Sequence, residues 1–450
     1  MTASLCDTLV GTPRPSLVVD LAGPDDVAAY RALRRSAFCD ELGLFARSDA
    51  DDHDDDAVVL VARLHGRVVG GVRLFEVGPG WWQGGRLVVS PAARTSGAGR
   101  ALVEAACAQA EARGALRFEA TVLPQNAALF SRLGWEVLRR VAVAGAPHVL
   151  VRWPVGRVQR LVDATKSPLG DLLRGLRPGG DGWVGDDCAP VAGSDVVASV
   201  DAILPAMVEH DPEWAGWCGV LVGANDLAAV GAAPRGVLDA LAAPTAAHAA
   251  RVLAGLRAAS EAFSLPVLGG HTQLGVAPAL SVTALGTAAA PVRGAGRAGQ
   301  QVSLTADLGG SWRPGYPGRQ WDSSSRRTAQ EIAAMTSVAA RGRPAAAKDV
   351  SMAGVLGTLG MLAEASGCSA ELDVAALPVP AGATLGDWAT CFPGFALLTA
   401  DEPGRSLPPA GPAVTAACAR LVPGAGVRLV WPDGEVTEVL AGPVTGLGEA

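Results

Sequence analysis

A segment rich in glycine and proline divides this chain into two stretches, each with its own pattern of short strands and helices. The segment covers residues 154–180 and includes KSPLGDLLRGLRPGG. Such a density of Gly and Pro is typical of linkers. The chain has 450 residues, too many for one core, since a domain takes about 150 residues. We therefore predict an N-terminal domain over 1–155, a linker with a flexible Gly-rich loop over 156–180, and a separate C-terminal part.

The composition is that of a globular protein and argues against several function classes. Hydrophobic residues make up 49% of the chain and charged residues 18%, which does not fit a disordered chain. The net charge of -7 argues against a nucleic-acid partner. The 8 cysteines form no CxxC pair, so neither a zinc site nor a disulfide framework is indicated. Without an apolar run long enough for a membrane span and without a signal-peptide pattern, we expect a cytoplasmic protein.

A short loop in the N-terminal part has the pattern of an anion-binding site. The strand RLVVS (86–90) precedes it, and a helix begins near Gly97. Between them Arg94, Gly97 and Gly99 form R-x-x-G-x-G. Glycines let the backbone approach a ligand, and the start of a helix favours negative charge. The pattern therefore predicts a pyrophosphate site.

This loop resembles the R/Q-x-x-G-x-G/A motif of the GNAT N-acetyltransferases, and the resemblance covers about residues 17–153. It implies a mixed central sheet flanked by helices, with acetyl-CoA as cofactor. The residues expected to contact acetyl-CoA are those of the preceding strand (Leu87, Val88, Val89), those of the loop and helix start (Arg94, Gly97, Ala98, Gly99, Arg100), and Asn126 before the next helix.

The catalytic groups of this domain are less well defined. Where GNAT enzymes often have a tyrosine as general acid, this chain has Phe130, which carries no proton to donate. Glu119, Glu41 and His148 are the candidate general bases for taking a proton from a small-molecule amine. Each also has a purely structural interpretation. The acidic segment 49–57 either attracts a cationic amine or, more simply, is a solvated loop.

The C-terminal part carries acidic residues beside strand ends and glycines. Asp186 and Asp187 follow a glycine, and Asp201 lies at the end of a predicted strand. Asp226 lies at the predicted start of an Ala-rich helix, and a further predicted strand ends in the turn GGHTQ (269–273). Sparse carboxylates of this kind suit Mg²⁺ with phosphates attached.

These motifs resemble the superfamily of aminoimidazole ribonucleotide synthetase (AIR synthase), thiamine-monophosphate kinase and selenophosphate synthetase. GDDCAP, ANDLAAVGAAP, GGHTQ, KDVSMAG and PGF occur in the family's order between about 160 and 445. The resemblance implies a two-part α+β domain, over 181–295 and 296–450, that binds ATP with Mg²⁺ and forms a homodimer. It implies metal ligands at Asp186, Asp187, Asp201, Asp226 and Asp349, and ATP contacts at Asn225, Gly269, Gly270, His271 and Thr272.

The whole chain is thus expected to combine α/β and α+β domains in a bifunctional enzyme with two small-molecule substrates. The resemblance also implies a role in nitrogen metabolism. Two alternatives stay open. Met352 replaces the second Asp of the family's D-x-S-D-G segment, which favours a nucleotide-binding dimerisation or regulatory module without turnover. Phe130 favours an N-terminal domain that only senses acyl-CoA.

Overall fold

The structure is a computed structural model that describes residues 17–176, 179 and 182–449. It divides into two compact units, Met1–Val155 and Gly156–Ala450, and each is described by itself. Within the described residues, none of the helices combines the length and the apolar character that crossing a membrane requires.

The first unit is a seven-stranded sheet with helices on both faces. Its elements are β1 (Leu17–Leu21), α1 (Pro24–Arg35), a π-helical extension (Ser36–Glu41), β2 (Val58–Leu64), β3 (Arg67–Gly78), β4 (Trp81–Val89), α2 (Ala98–Ala112), β5 (Arg117–Val122), α3 (Ala127–Arg132), β6 (Glu136–Val143) and β7 (Ala146–Trp153). The strand order is β1-β2-β3-β4-β5-β7-β6. Only β4 and β5 run parallel; the other neighbours are antiparallel.

Alternation along the strands separates two apolar clusters on opposite faces of this sheet. On β2, Leu60 and Ala62 pack in the cluster with α2, whereas Val61 packs with Tyr30 of α1. Successive strand residues point to opposite faces. Helix α2 therefore covers one face, and α1 with its π-helical extension covers the other.

The parallel pair β4–β5 is incomplete, and this leaves an opening in the sheet. Residues 81–84 of β4 pair with residues 117–120 of β5, and beyond Gly84 the two strands separate. The later part of β4 pairs on its other side only, with Gly70 and Gly71 of β3. The edge of β4 that faces the opening thus keeps its backbone groups available for a ligand.

The second unit contains a five-stranded, a seven-stranded and a three-stranded sheet. Its helices are α4 (Arg157–Thr165), α5 (Leu169–Leu172), α6 (Pro205–His210), α7 (Pro212–Ala229), α8 (Ala246–Phe263), α9 (Ala329–Thr336), α10 (Val338–Gly342), α11 (Gly354–Ala365) and α12 (Leu385–Thr390). Its strands are β8 (Ala189–Pro190), β9 (Val196–Ile203), β10 (Ala233–Ala243), β11 (Val267–Leu274), β12 (Ala279–Thr287), β13 (Gln301–Ala306), β14 (Ser311–Trp312), β15 (Gln320–Asp322), β16 (Ala346–Asp349), β17 (Ser369–Asp373), β18 (Phe392–Pro393), β19 (Ala396–Asp401), β20 (Val414–Val422), β21 (Val427–Val430) and β22 (Val436–Leu440).

The two large sheets have helix α7 between them. The five-stranded sheet has the order β11-β10-β12-β9-β8, and the seven-stranded sheet has the order β16-β19-β13-β20-β17-β21-β22. Helix α7 contacts β9 and β12 of the first sheet and β16 and β19 of the second. Because it is enclosed on nearly all sides, most of its residues are apolar and buried around the whole helix.

The segment that we predicted as a linker is structured where it begins, so that prediction is wrong for this part. Residues 157–165 form α4, whose Val158 and Val162 are buried, because apolar residues four positions apart lie on one helical face. Helix α4 packs against α11 and β22 of the second unit. Residues 177, 178 and 180, in the predicted Gly-rich loop, and residue 181 after it lie outside the described residues.

Candidate functional site

The predicted pyrophosphate loop lies at the start of α2. Gly97 is the N-cap residue with φ +86°, a left-handed conformation that favours glycine. The first N–H groups of a helix have no intrahelical acceptor. Ala98 N–H donates to Ser96 Oγ at 3.3 Å, which leaves those of Gly99 and Arg100 available for an anion. Arg94 lies on the approach to the helix and forms an ion pair with Glu41 at 2.7 Å. The exposed Arg100 pairs with Glu104 at 2.8 Å.

A cavity of about 120 Å³ lies at the opening between β4 and β5. Gly84, Leu87 and Asn126 line it, so the structure brings two of the predicted acetyl-CoA contacts to the same place. Val103 of α2 and Phe38 of the π-helical extension also line it. Because these two elements cover opposite faces of the sheet, the cavity passes through the sheet at the opening.

Among the three candidate general bases, only His148 lines this cavity. It is buried, with 8% of its surface exposed, and Nδ1 lies 3.0 Å from the carbonyl oxygen of Ala146. That contact assigns the proton to Nδ1 and leaves Nε2 as an acceptor. Glu41 is occupied by Arg94, as described above.

Glu119 has an environment that does not suit a general base. It is 1% exposed and accepts hydrogen bonds from Arg117 at 2.9 Å and Arg152 at 2.7 Å. Both carboxylate oxygens are thus engaged by guanidinium groups, and Glu119 does not line the cavity. The sequence could not show this pairing, because Arg152 lies on a different strand.

The acidic segment 49–57 is exposed at Asp52, Asp55 and Asp56, but three of its other aspartates are paired with arginines. Asp49 accepts a hydrogen bond from the buried Arg34 at 2.7 Å, and Asp51 accepts one from Arg73 at 2.7 Å. Asp54 pairs with both arginines, at 2.9 Å from Arg34 and 2.6 Å from Arg73. Burial raises the pKa of Asp54, but the hydrogen bonds from Arg34 and the charge of Arg73 outweigh it and hold the pKa far below its ordinary value.

The second unit has a cavity of about 410 Å³ whose wall is rich in acid. It is lined by five aspartates from separate segments: Asp186, Asp187, Asp201, Asp226 and Asp349. The structure thus brings together all the residues that we predicted as metal ligands. Lys166 and Lys348 line the same cavity. We did not predict Lys166 as a site residue, because it lies in the segment that we predicted as a linker.

Four of these carboxylates influence one another. Burial and then the charges of Asp349, Asp201 and Asp187 raise the pKa of Asp226 well above its ordinary value. Burial and the charges of Asp187 and Asp201 do the same to Asp349. For Asp187 burial raises the pKa, and Lys348, at 3.4 Å, offsets part of the effect. A donor set of this kind is stabilised by a divalent cation.

Two observations limit how these aspartates can bind a metal. Asp186 already accepts hydrogen bonds from Gly294 N–H at 2.5 Å and Arg293 at 3.0 Å, so it anchors the chain. Within the part of the chain that the structure describes, no group of three or more His, Cys, Asp or Glu side chains is arranged to hold a metal ion. The residues fit an ion that brings phosphate oxygens with it, as Mg²⁺ does with nucleotides.

The predicted ATP contacts lie elsewhere, and two element predictions are corrected. Asn225 and Asp226 lie in the last turns of α7 and not at the start of a helix. Asn225 is fully buried, and its amide is 3.4 Å from the carbonyl of Gly394. The residues 269–273 are not a turn: parallel pairing with β10 continues β11 through them. Gly269, Gly270, His271 and Thr272 therefore lie on an edge strand and do not line the acidic cavity.

Several residues that line the two cavities had no signal in the sequence. Phe38, Leu44 and Phe45 line the first cavity, and Phe392 and Met361 line the second. Each was indistinguishable from an ordinary core residue, since apolar lining and apolar core have the same composition. Only the tertiary arrangement separates them.

Family models match both parts of the chain. The model for the acetyltransferase (GNAT) family matches residues 26–135. The models for the N-terminal and C-terminal domains of AIR synthase related protein match residues 185–288 and 289–438. The second and third matches are consecutive, so together they cover most of the second unit.

Individual proteins are similar to part of the chain. An uncharacterized protein of Synechocystis sp. is 33% identical over 228 residues, 49% of this chain and 70% of that protein. An uncharacterized protein of Methanocaldococcus jannaschii is 30% identical over 198 residues, 42% of this chain and 61% of that protein. The structure of T. maritima PurL complexed with ATP has a TM-score of 0.52 at 14% identity, covering 65% of this chain and 52% of that one. At this identity the similarity shows the fold alone.

Proposed function

Because the chain belongs to the AIR synthase related proteins and carries a GNAT-family domain at its N-terminal end, we propose that it is a bifunctional enzyme. The first unit transfers an acyl group from acetyl-CoA to a small-molecule amine. The second unit uses ATP with Mg²⁺ to activate a second small molecule. The observation that carries the proposal is the pair of cavities, one in each unit: Leu87, Asn126 and His148 line the first, and the five predicted aspartates line the second.

In the first unit, backbone groups bind the coenzyme, and the imidazole of His148 accepts the proton of the amine. The N–H groups after Gly97 bind the pyrophosphate. The backbone groups on the free edge of β4 at residues 87–89 would hold the pantetheine arm, and the bound coenzyme would supply the activated acyl group. His148 Nε2 accepts the proton of the attacking amine. Phe130 holds no proton, so water protonates the departing sulfur.

In the second unit, the carboxylates position the nucleotide through the metal. A bound Mg²⁺ would supply the positive charge that neutralises and orients the phosphates. Asp187, Asp226 and Asp349 hold the metal, and Lys348 offsets phosphate charge. Met352 also lines this cavity, at the position where the family has a second carboxylate. The acceptor is then activated by position and charge rather than by a base at this position.

Met352 and Phe130 each support an alternative: a second unit that binds nucleotide without turnover, or a first unit that only senses acyl-CoA. Two assays on the full chain separate these functions from the proposed one. Free thiol released from acetyl-CoA in the presence of an amine panel reports the first unit. ADP or phosphate released from ATP in the presence of Mg²⁺ reports the second unit. Binding of both ligands without either product would contradict the bifunctional enzyme.

We also propose that the chain forms a homodimer through the outer face of the five-stranded sheet. Val200 of β9 and Leu238 of β10 lie in one row across this sheet, with Thr283 of β12 between them. Val200 is 67% exposed and Leu238 40%. An exposed apolar sheet face of this kind is typical of a subunit interface.

We further propose a cytoplasmic location and a role in nitrogen metabolism. The role in nitrogen metabolism is supported by the sequence resemblance.

A further inference from the structure

The wall of the first cavity on the α1 face is apolar. Phe38 comes from the π-helical extension, and Leu44 and Phe45 come from the segment that follows it. Val143 and Ala144, between β6 and β7, line the same cavity. His148 lies on this face too, because its neighbours on β7, at 149 and 151, pack in the cluster with α2. The candidate base therefore points into an apolar surrounding.

The charges around this wall are already paired with one another. Arg86 is the guanidinium that lines the cavity; it donates to the carbonyl of Asp49 at 2.9 Å, pairs with Asp51 at 3.1 Å and lies 4.8 Å from the ring centre of Phe45. Among the described residues that line this cavity there is no Asp or Glu. An ammonium group entering here would lose its water without gaining a counter-charge, which is costly.

We infer that the amine acylated by the first unit has an aromatic or branched apolar body and enters the cavity uncharged. This inference rests on the acyltransferase function proposed above and names its acceptor class. It is also consistent with the acidic segment 49–57, in which Asp49, Asp51 and Asp54 are paired with Arg34, Arg73 and Arg86 and none of the aspartates lines the cavity.

The transfer step balances with the groups described. The nitrogen lone pair of the neutral amine forms a C–N bond with the thioester carbonyl carbon. The C–S bond breaks, and its electron pair leaves with sulfur. His148 Nε2 takes one amine proton and returns it to solvent, while water protonates the sulfur. The products are one amide and one thiol, and no oxidant or reductant is required.

The test compares two amines on the full-length protein with acetyl-CoA. 4-Methylaniline is apolar and neutral near pH 7.5, whereas spermidine is a polycation. We expect the kcat/KM for thiol release to be at least roughly tenfold higher with 4-methylaniline. In the presence of coenzyme A, calorimetry should detect binding of 4-methylaniline and none of spermidine. Preference for spermidine in either measurement would overturn the inference.

A pair of variants tests the role of the wall. Leu44→Asp places a carboxylate in the wall, and Leu42→Asp places one two residues away, where the side chain is exposed and does not line the cavity. We expect Leu44→Asp to lower kcat/KM for 4-methylaniline by roughly tenfold and to raise the relative rate with spermidine, with no such change in Leu42→Asp. Equal behaviour of the two variants would contradict the inference.

Failure of the inference can be told apart from failure of the proposed function. If coenzyme A binds and spermidine is the better acceptor, only the acceptor class is wrong. If calorimetry shows that neither acetyl-CoA nor coenzyme A binds, the acyltransferase proposal fails, and the inference fails with it. Far-UV circular dichroism spectra of both variants that match the wild-type spectrum would show that the comparison is made between folded proteins.

Discussion

Individual aspartates in this protein have two opposite environments, although the sequence presents them alike. Asp54 is surrounded by arginines, which hold its pKa far below the ordinary value even though burial raises it. Asp226 is surrounded by other carboxylates, which together with burial raise its pKa. The first arrangement stabilises a folded protein by itself, whereas the second requires a cation. The residue type alone could not distinguish them, since the partners lie far away along the chain.

For the arginine-bound group we predict a loss of stability in Asp54→Asn. Removing one partner of a buried ion pair leaves Arg34 and Arg73 short of counter-charge and should cost about 3–5 kcal/mol in the free energy of unfolding at pH 7. Urea unfolding of the first unit measures it. Asp55→Asn is the control, because Asp55 is 96% exposed, and it should change stability little. An equal effect in both variants would contradict the structural role.

The same pairing predicts how stability depends on pH. Because the folded-state pKa of Asp54 is lowered, its stabilising contribution is complete above the unfolded-state pKa of about 3.9 and is lost as the pH falls toward the folded-state value. Urea midpoints between pH 7 and pH 3 should therefore fall more steeply for the wild type than for Asp54→Asn. Parallel curves would show that the pair does not contribute.

For the clustered carboxylates we predict that removing one charge does not lower the stability of the ligand-free protein but abolishes the stabilisation by ATP with Mg²⁺. Asp226→Asn keeps the shape of the side chain and removes its charge, so the unfolding temperature without ligand should not fall. The increase in unfolding temperature on adding ATP with Mg²⁺ should disappear. Asp171→Asn, at a side chain that is 83% exposed, should keep that increase. A variant that retains the full Mg²⁺-dependent increase would exclude Asp226 as a ligand.

At the level of elements, local patterns predicted the strand and the helix on either side of the acetyl-CoA loop. The hairpin of β2 and β3 turns at His65 and Gly66, which both adopt positive φ there. Helix α2 begins after Gly97, as the R-x-x-G-x-G pattern indicates. The predictions for GGHTQ and for the start of the Ala-rich helix were wrong, because tertiary contacts determine how far each of these two elements extends. Strand pairing with β10 extends β11, and enclosure between two sheets extends α7 backwards to Pro212.

The start of α2 gives a prediction for coenzyme binding. Gly97→Trp fills the space in front of the helix and should lower acetyl-CoA affinity at least roughly a hundredfold, as calorimetry would measure. Gly66→Trp is the matched control: Gly66 also has positive φ, and no atom lies within 4 Å of a Cβ there. It carries similar backbone strain, so it should leave affinity unchanged. Equal loss in both variants would mean that strain, and not the binding site, is responsible.

The outer face of the five-stranded sheet gives a prediction for assembly. Val200→Asp puts a charge at one end of the row formed by Val200, Thr283 and Leu238, and light scattering at micromolar concentration should then report a monomer where the wild type is a dimer. Val436→Asp on β22, at a side chain that is 45% exposed, should remain dimeric. A monomeric wild type would refute the proposed interface.

At the level of the whole molecule, each unit has its own buried core and its own cavity lined by predicted site residues. The second unit, although longer, is held together by α7 between its two large sheets. The two-part organisation could be predicted from the Gly-Pro segment and from the order of the motifs. The contribution of α4 to the second unit could not, because a single amphipathic helix does not show which core it covers.

The most direct test of the account is calorimetric titration of the full chain with acetyl-CoA and with ATP in the presence of Mg²⁺, each alone and then in sequence. The account predicts one site per chain for each ligand. Gly97→Trp should abolish only the first binding, and Asp226→Asn only the second. A full chain that binds neither ligand, or a variant that abolishes both, would contradict the proposal of two separate ligand sites.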